Sequence, residues 1–313
     1  MRIIRNKAGL DSEQRRSSTH VVALLLALLL AACTTPIKPP TVEVPAASQL
    51  TIKPPPRIGL ALGGGAGRGF AHVGVIQVLE EAGFKPSLVV GTSAGSLVAA
   101  LYAGGKTGSQ LQQAAETMEE AALTDWILPI FSRGLLRGEA LARYVNGQLN
   151  HQLIEQLALP LGIVATDLHS GEGVLFRRGD IGAAVRASSA VPAVFLPVRI
   201  GEREYVDGGL VAPVPVQFAR QMGAELVIAV DISTPPESNP ANDVFRVLLQ
   251  TFAIMGKSIN RHELKSADLV IRPALAGTSG TDFSSRKRSI EAGRAAMQLM
   301  LPRLRVLLSA LPG

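Results

Sequence analysis

Gly91-Thr92-Ser93-Ala94-Gly95 follows the apolar run Ser87-Leu88-Val89-Val90 and precedes the helix-prone Ser96-Leu97-Val98-Ala99-Ala100-Leu101. A buried strand that gives way to a helix within so few residues puts Ser93 on a sharp strand-to-helix turn. Glycines two before and two after the serine have a steric reason: strand and helix come so close there that a side chain would clash. The turn lifts the Ser93 hydroxyl out of the fold and aims the first, unpaired amides of the helix at whatever it attacks. Five-residue patterns arise by chance, so the surroundings decide what this one means.

Upstream, Ile58-Gly59-Leu60-Ala61-Leu62 reads as a buried strand that runs into Gly63-Gly64-Gly65-Ala66-Gly67-Arg68-Gly69. Phe70 to Ala82 then shows helical spacing of Val73, Ile76, Val78, Leu79 and Ala82 and closes at Gly83. A glycine-rich loop between strand and helix forms a concavity of backbone amides suited to an anion. A phosphate loop of the nucleoside-triphosphate type needs Gly-Lys-Ser/Thr at the helix start, and Arg68-Gly69-Phe70 stands there instead. A dinucleotide fold wants an acidic residue at the end of the next strand, where this chain has Gly91-Thr92-Ser93. Loop and serine turn therefore lie at the carboxyl ends of two strands joined by one helix, neighbours in a parallel sheet. An oxyanion hole beside a nucleophile accounts for both.

Downstream, helices are expected over Ser109 to Leu123 and Gly138 to Leu149, strands over Leu161 to Thr166 and Phe195 to Ile200, and a hairpin strand at Val174-Leu175-Phe176. The apolar patch Trp126 to Phe131 suits a lid or a lipid-facing loop, with core packing the plainer account. Arg186 to Pro192 reads as a helix end stopped by proline. Tyr205-Val206-Asp207-Gly208-Gly209 follows a hairpin at Gly201-Glu202-Arg203; taken alone, Asp-Gly-Gly is a turn in which aspartate caps amides and glycine takes positive φ. After a strand at Leu226 to Val230, Asp243 to Leu311 is mostly helical, with a short strand at Leu269 to Ile271. Its last helix carries a buried stripe, Ile290, Met297, Leu304 and Leu311, and a kink is expected at Pro302. There is no internal repeat, so the sequence describes one α/β domain with one sizeable core.

The N-terminus is of another character. Arg2, Arg5, Lys7, Arg15 and Arg16 precede the apolar run Val21 to Ala32, which is short for a bilayer span and reads as a secretory signal. Leu30-Ala31-Ala32-Cys33 resembles the lipobox of bacterial lipoproteins, in which the cysteine becomes the acylated first residue. Cys33 is the sole cysteine, so disulfides within the chain are excluded. Thr34 to Arg57 carries seven prolines and reads as an extended tether rather than a ligand for a proline-reading domain. The expected organisation is thus a signal peptide over 1–32, an acylated Cys33 and tether over 33–57, and a catalytic domain over 58–313. The leader holds +3 of the formal charge of +6, leaving +3, which is no nucleic-acid signature.

Three blocks together resemble the bacterial patatin-like phospholipase family: Gly63 to Gly69 with Ala71-His72-Val73-Gly74-Val75 behind it, Gly91 to Gly95, and Asp207-Gly208-Gly209. Val164 to Leu168 and Ala187 to Pro192 are similar to that family as well, and the likeness extends from about Arg57 to near the C-terminus. The resemblance implies a three-layer α/β/α fold with a mainly parallel sheet. It also implies a Ser-Asp dyad acting on acyl esters of lipids without metal or cofactor. In that reading Ser93 is the nucleophile and Asp207 its base, and amides of Gly64, Gly65 and Ala66 hold the oxyanion. Gly63, Gly67, Arg68 and Gly69 support the loop, Arg68 orienting it or touching a lipid phosphate. One departure is Ala66, where the family usually has glycine.

Three alternatives stand beside this reading. A Ser-Asp-His triad would need His262, in the exposed helical stretch Arg261 to Lys265, or His72, which packs behind the glycine loop. A lipid-binding or regulatory lipoprotein would keep the fold without turnover, and an acyltransferase would pass the acyl group to an acceptor other than water. The expected partners are a lipid or phospholipid substrate and, through lipidation at Cys33, a membrane. Thr34 after Cys33 resembles lipoproteins sent to an outer membrane, on its periplasmic side.

Overall fold

In the computed structural model, which describes residues 56–118, 136–236, 243–276 and 285–310, the strands are β1 (Ile58–Leu62), β2 (Leu88–Thr92), β3 (Leu161–Asp167), β4 (Gly173–Phe176), β5 (Val198–Ile200), β6 (Arg203–Asp207), β7 (Leu226–Val230) and β8 (Leu269–Ile271). They form one sheet with hydrogen-bonding order β5-β6-β3-β2-β1-β7-β8 and β4 paired to β3. β3, β2, β1, β7 and β8 run parallel, whereas β4, β5 and β6 are antiparallel additions. The parallel strands are covered on both faces, which is why β1, β2, β3 and β7 read as unbroken apolar runs.

The helices are α1 (Phe70–Glu81), α2 (Ala94–Ala103), α3 (Gly108–Thr117), α4 (Glu139–Gln148), α5 (Ile181–Ser188), α6 (Val216–Gln221), α7 (Val244–Glu263) and α8 (Arg286–Ala310). Leu60, Leu62, Val89, Ile163 and Ile228 project from one face of the sheet into a core shared with α1, α2, α5 and α8. Ala61, Val90, Val164, Val227 and Ala229 alternate to the other face and meet Val216 and Ala219 of α6. The result is three layers, helix on sheet on helix, with burial of each large aliphatic side chain contributing about 1.5–3 kcal/mol. α1 and α8 touch backbone to backbone: a Cβ on Gly74 would stand 2.0 Å from the Ile290 carbonyl, and one on Gly293 2.0 Å from that of Ala71.

Several expectations change in detail. α3 ends at Thr117, with Met118 already extended, and 119–123 lie outside the described residues, as does the apolar patch 126–131. The strand expected from Phe195 is confined to Val198–Ile200, because Pro197 has no amide to give a ladder; Phe195 makes only an isolated bridge to Leu136. α8 runs through Pro302 as one helix and buries Ile290, Met297 and Leu304 as the period of seven predicts, while Leu311 lies outside the described residues. The leader, Cys33 and most of the tether fall outside the described residues. Among those described, no helix is long and apolar enough to cross a membrane.

Candidate active site

Ser93 sits between β2 and α2 with φ 52° and ψ −123°, a conformation that costs a non-glycine residue on the order of 1–3 kcal/mol. The glycines around it are required by space. A Cβ on Gly91 would lie 2.4 Å from the Gly95 carbonyl oxygen, and one on Gly95 2.1 Å from that of Leu62. Buried Ser96 donates its hydroxyl to the Ser93 carbonyl at 2.6 Å, closing the turn from the helix side.

Asp207 reaches Ser93 from the opposite direction along the sheet. Val164 of β3 pairs with Thr92 on one edge and Leu175 of β4 on the other, and Ala165 pairs with Asp207 and Val174. β2 and β6 therefore occupy the same edge of β3, one below the other, and their carboxyl ends meet tip to tip. The Ser93 hydroxyl donates to Asp207 Oδ2 at 2.7 Å, and Oδ1 accepts the Gly209 amide at 2.7 Å. Asp207 caps an amide as the isolated turn motif predicts, but Gly208 and Gly209 do not take positive φ. Gly208 is needed for space, since its Cβ would lie 2.2 Å from the Val164 carbonyl oxygen. Burial pushes the Asp207 carboxyl up to about 6, against the hydrogen bonds from Ser93 and Gly209, which pull it down.

The glycine loop stands beside this pair, where a Cβ on Gly64 would be 3.2 Å from that of Ser93. Its amides are unequal. Gly63 donates to Val230 at 3.0 Å and Gly64 to Pro213 at 2.9 Å, so both are spent anchoring the loop to the sheet. This corrects the expected trio of oxyanion donors: Gly64 is engaged, whereas the amides of Gly65 and Ala66 have no acceptor among the described residues. Ala66 adopts φ 49°, the left-handed region that favours glycine. It opens a short 3-10 turn, Ala66–Gly69, that contains Gly67 and leads into α1.

Two side chains hold the loop from behind. His72, fully buried, places Nε2 2.8 Å from the Gly63 carbonyl; a carbonyl only accepts, so Nε2 carries the proton and Nδ1 is bare. Burial lowers His72 to about 4, which keeps it neutral. Arg68 is buried and donates to the Thr234 hydroxyl and the Ser233 carbonyl, so it ties the loop to the segment after β7. Desolvation lowers its pKa, with Asp231 opposing. His262 is exposed on α7. Among the described residues no group of three or more His, Cys, Asp or Glu is arranged to hold a metal ion.

Ser188 is a site residue that the sequence does not single out. Fully buried at the end of α5, it accepts the Ser93 amide at 2.9 Å and donates to the Val164 carbonyl at 2.5 Å. Thr166 likewise donates to the Asp207 carbonyl at 2.8 Å, and Thr92 to that of Ala212 at 2.9 Å. The only signal was the wording of Ala187 to Pro192, which does not say which serine matters.

The model of the patatin-like phospholipase family matches residues 60–220, just over half of the chain. An uncharacterised NTE family protein of Mycobacterium tuberculosis is 37% identical over 199 residues, covering 64% of this chain and 55% of the relative. Patatin-like phospholipase domain-containing protein 6 of Mus musculus is 34% identical over 190 residues, covering 58% of this chain and 14% of the relative. The chain thus spans about half or less of the length of these relatives. Among solved structures, VipD from Legionella pneumophila superposes with a TM-score of 0.55 at 16% identity, over 80% of this chain and 67% of that one, a likeness of fold.

Proposed function

Because the chain belongs to the patatin-like phospholipase family, we propose that it is a serine acyl hydrolase of lipid esters that works through a Ser93-Asp207 dyad and an acyl-enzyme. The observation that carries the reading is the 2.7 Å hydrogen bond from a strained, partly exposed serine to a buried carboxylate. Ser93 Oγ attacks the ester carbonyl carbon while its proton passes to Asp207 Oδ2. The tetrahedral oxyanion is held by the amides of Gly65 and Ala66 beside the start of α2. As the carbon–oxygen bond of the ester breaks, Asp207 returns the proton to the leaving alcohol. A water then gives a proton to Asp207 and attacks the acyl-serine; as the bond to Ser93 Oγ breaks, Asp207 returns that proton to Oγ and the fatty acid leaves.

An ordinary aspartate is a weak base for a hydroxyl. The upward shift of Asp207 to about 6 makes it a better one while leaving it ionised at neutral pH. The fixed geometry supplies the rest, since neither oxygen has to be searched for. Release of free fatty acid from a panel of phospholipid, lysophospholipid and triglyceride, wild type against Ser93→Ala, tests the reading. A wild-type protein that releases nothing and never reacts with an acyl fluorophosphonate at Ser93 sinks it.

The same proposal includes the N-terminal expectation: Cys33 carries the lipid that holds the exported enzyme at the periplasmic face of an outer membrane. It is supported by the order of basic, apolar and small residues before Cys33. Metabolic labelling with palmitate should mark the wild-type chain and not Cys33→Ser; equal labelling of both rejects the anchor.

A further inference from the structure

A surface helix of a folded domain keeps polar residues on the side away from the core, and α7 sets large apolar residues among them. Its inward side packs on the 3-10 turn Gly208–Leu210 that directly follows Asp207. There Asn260 Nδ2 donates to Ser233 Oγ at 2.8 Å and Gly256 lies over Pro213. Its outward side carries Val244, 88% exposed, with Val247 at 51%, Ile254 at 54% and Met255 at 47%. At 100° per residue these four fall within one sector about 100° wide, which they share with exposed Thr251, Ser258 and His262. Burying each would contribute about 1.5–3 kcal/mol, yet the fold leaves all four in water. Exposed Arg261 borders the stripe, and exposed Lys265 follows just beyond its end.

We propose that α7 is the face by which the enzyme lies on an anionic lipid surface, its stripe sunk at the boundary of headgroups and acyl chains. The proposal rests on the lipid-ester reading of Ser93 and Asp207, and it adds how a site on the rim of the sheet meets an insoluble substrate. Two features select the occupant. The basic border complements anionic headgroups, and it opposes a second copy, which would bring like charge against itself. The helix that bears the stripe packs its other side on the 3-10 turn after Asp207, so docking there sets the lipid surface one helix away from that turn.

The test uses the full chain bearing Cys33→Ser, in which an introduced cysteine is the sole thiol. Ile254→Cys and, as a control on the exposed side of α3, Gln113→Cys are labelled with an environment-sensitive fluorophore and mixed with phosphatidylglycerol vesicles. The label at 254 should shift to the blue and be quenched by a lipid-borne quencher, the label at 113 should do neither, and phosphatidylcholine vesicles should give a much smaller shift. Bound protein whose 254 label stays in water overturns the proposal, as does a shift that depends on protein concentration without vesicles, which would mean a second copy covers the face. In parallel, Val247→Asp with Ile254→Asp should lower turnover of a vesicle-borne ester roughly tenfold or more and leave a soluble short-chain ester unchanged. Equal loss on both esters also overturns the docking face. Hydrolysis of neither ester by the wild type overturns the acyl-hydrolase reading instead, and the label result then decides the surface by itself.

Discussion

Ser93 and Asp207, 114 residues apart in the chain, are joined by a 2.7 Å hydrogen bond because β2 and β6 end against each other on one edge of β3. Neither strand brings its residue across the sheet; each delivers it at its own tip. The pair is therefore set by register: Thr92 opposite Val164, Asp207 opposite Ala165. A slip of one residue in either pairing would turn a side chain to the other face.

In the proposed mechanism the Asp207 carboxylate must be ionised to take the Ser93 proton, and burial pushes it up to about 6. kcat/KM for a soluble ester should therefore fall on the acid side with an apparent pKa near that value and level off above it. Asp207→Asn should lose about 10³-fold or more, and Ser93→Ala at least as much, while His262→Ala stays within about twofold. If the histidine change alone abolished turnover, the base would have been assigned to the wrong residue.

Two buried groups give stability opposite dependences on pH. Asp207 rises from 3.8 unfolded to about 6 folded, so the folded state binds its proton first and stability from this group grows as pH falls from 6 to 3.8. His72 drops from 6.5 to about 4, so the unfolded state binds its proton first and stability is lost as pH falls from 6.5 to 4. Each amounts to about 3 kcal/mol over its window, and in the wild type they largely offset one another. Asp207→Asn should gain about 1–3 kcal/mol near pH 8 and lose the advantage on acidification. Denaturant unfolding of both proteins across pH would show two parallel curves if the carboxylate were not buried at a cost.

Ala66 holds φ 49° in the glycine loop, where its Cβ costs roughly 1–2 kcal/mol. Ala66→Gly relieves that strain but frees the unfolded chain, so the net gain in stability should be about 0.5–1 kcal/mol. Hydrolysis should persist, since the proposed contact to the oxyanion is made by the Ala66 amide and not by its side chain. Ala66→Val, with a branched side chain at positive φ, should lower both stability and turnover, and a valine variant as stable as wild type would contradict the strain read from the backbone.

Ser188 meets Ser93 through the backbone amide of Ser93. Ser188→Ala removes the acceptor of the Ser93 amide and the donor to Val164 at once, leaving two buried groups unpaired at a cost of about 1–3 kcal/mol each. A positioning role predicts a kcat decrease on the order of tenfold with KM almost unchanged. A stability loss with kcat intact would leave Ser188 only a structural part.

Much of this was legible because it is local or because burial writes it plainly. β1, β2, β3 and β7 are covered on both faces and so appear as apolar runs; Gly91 and Gly95 follow from the closeness of one strand to the helix it feeds. Phe195 to Pro197 reads as strand from its apolar residues, which suggest a ladder whether or not an amide is there to build it, and the strand is Val198–Ile200. The exposed stripe of α7 was read only as helix, since amphipathic spacing says that a helix has an apolar face and not whether the core takes it.

The sequence by itself determined the serine turn, the anion-shaped loop before it, and the parallel strands that carry them, all consequences of residues within one turn or strand of each other. Only the tertiary structure decided which amides remain for an oxyanion, because Gly64 loses its amide to Pro213. It also decided that Asp207 Oδ2 meets the Ser93 hydroxyl and that the Ser188 hydroxyl accepts the Ser93 amide. These depend on groups brought together from about a hundred or more residues away, and no spacing in the chain records which acceptor will find a given donor once the sheet has closed.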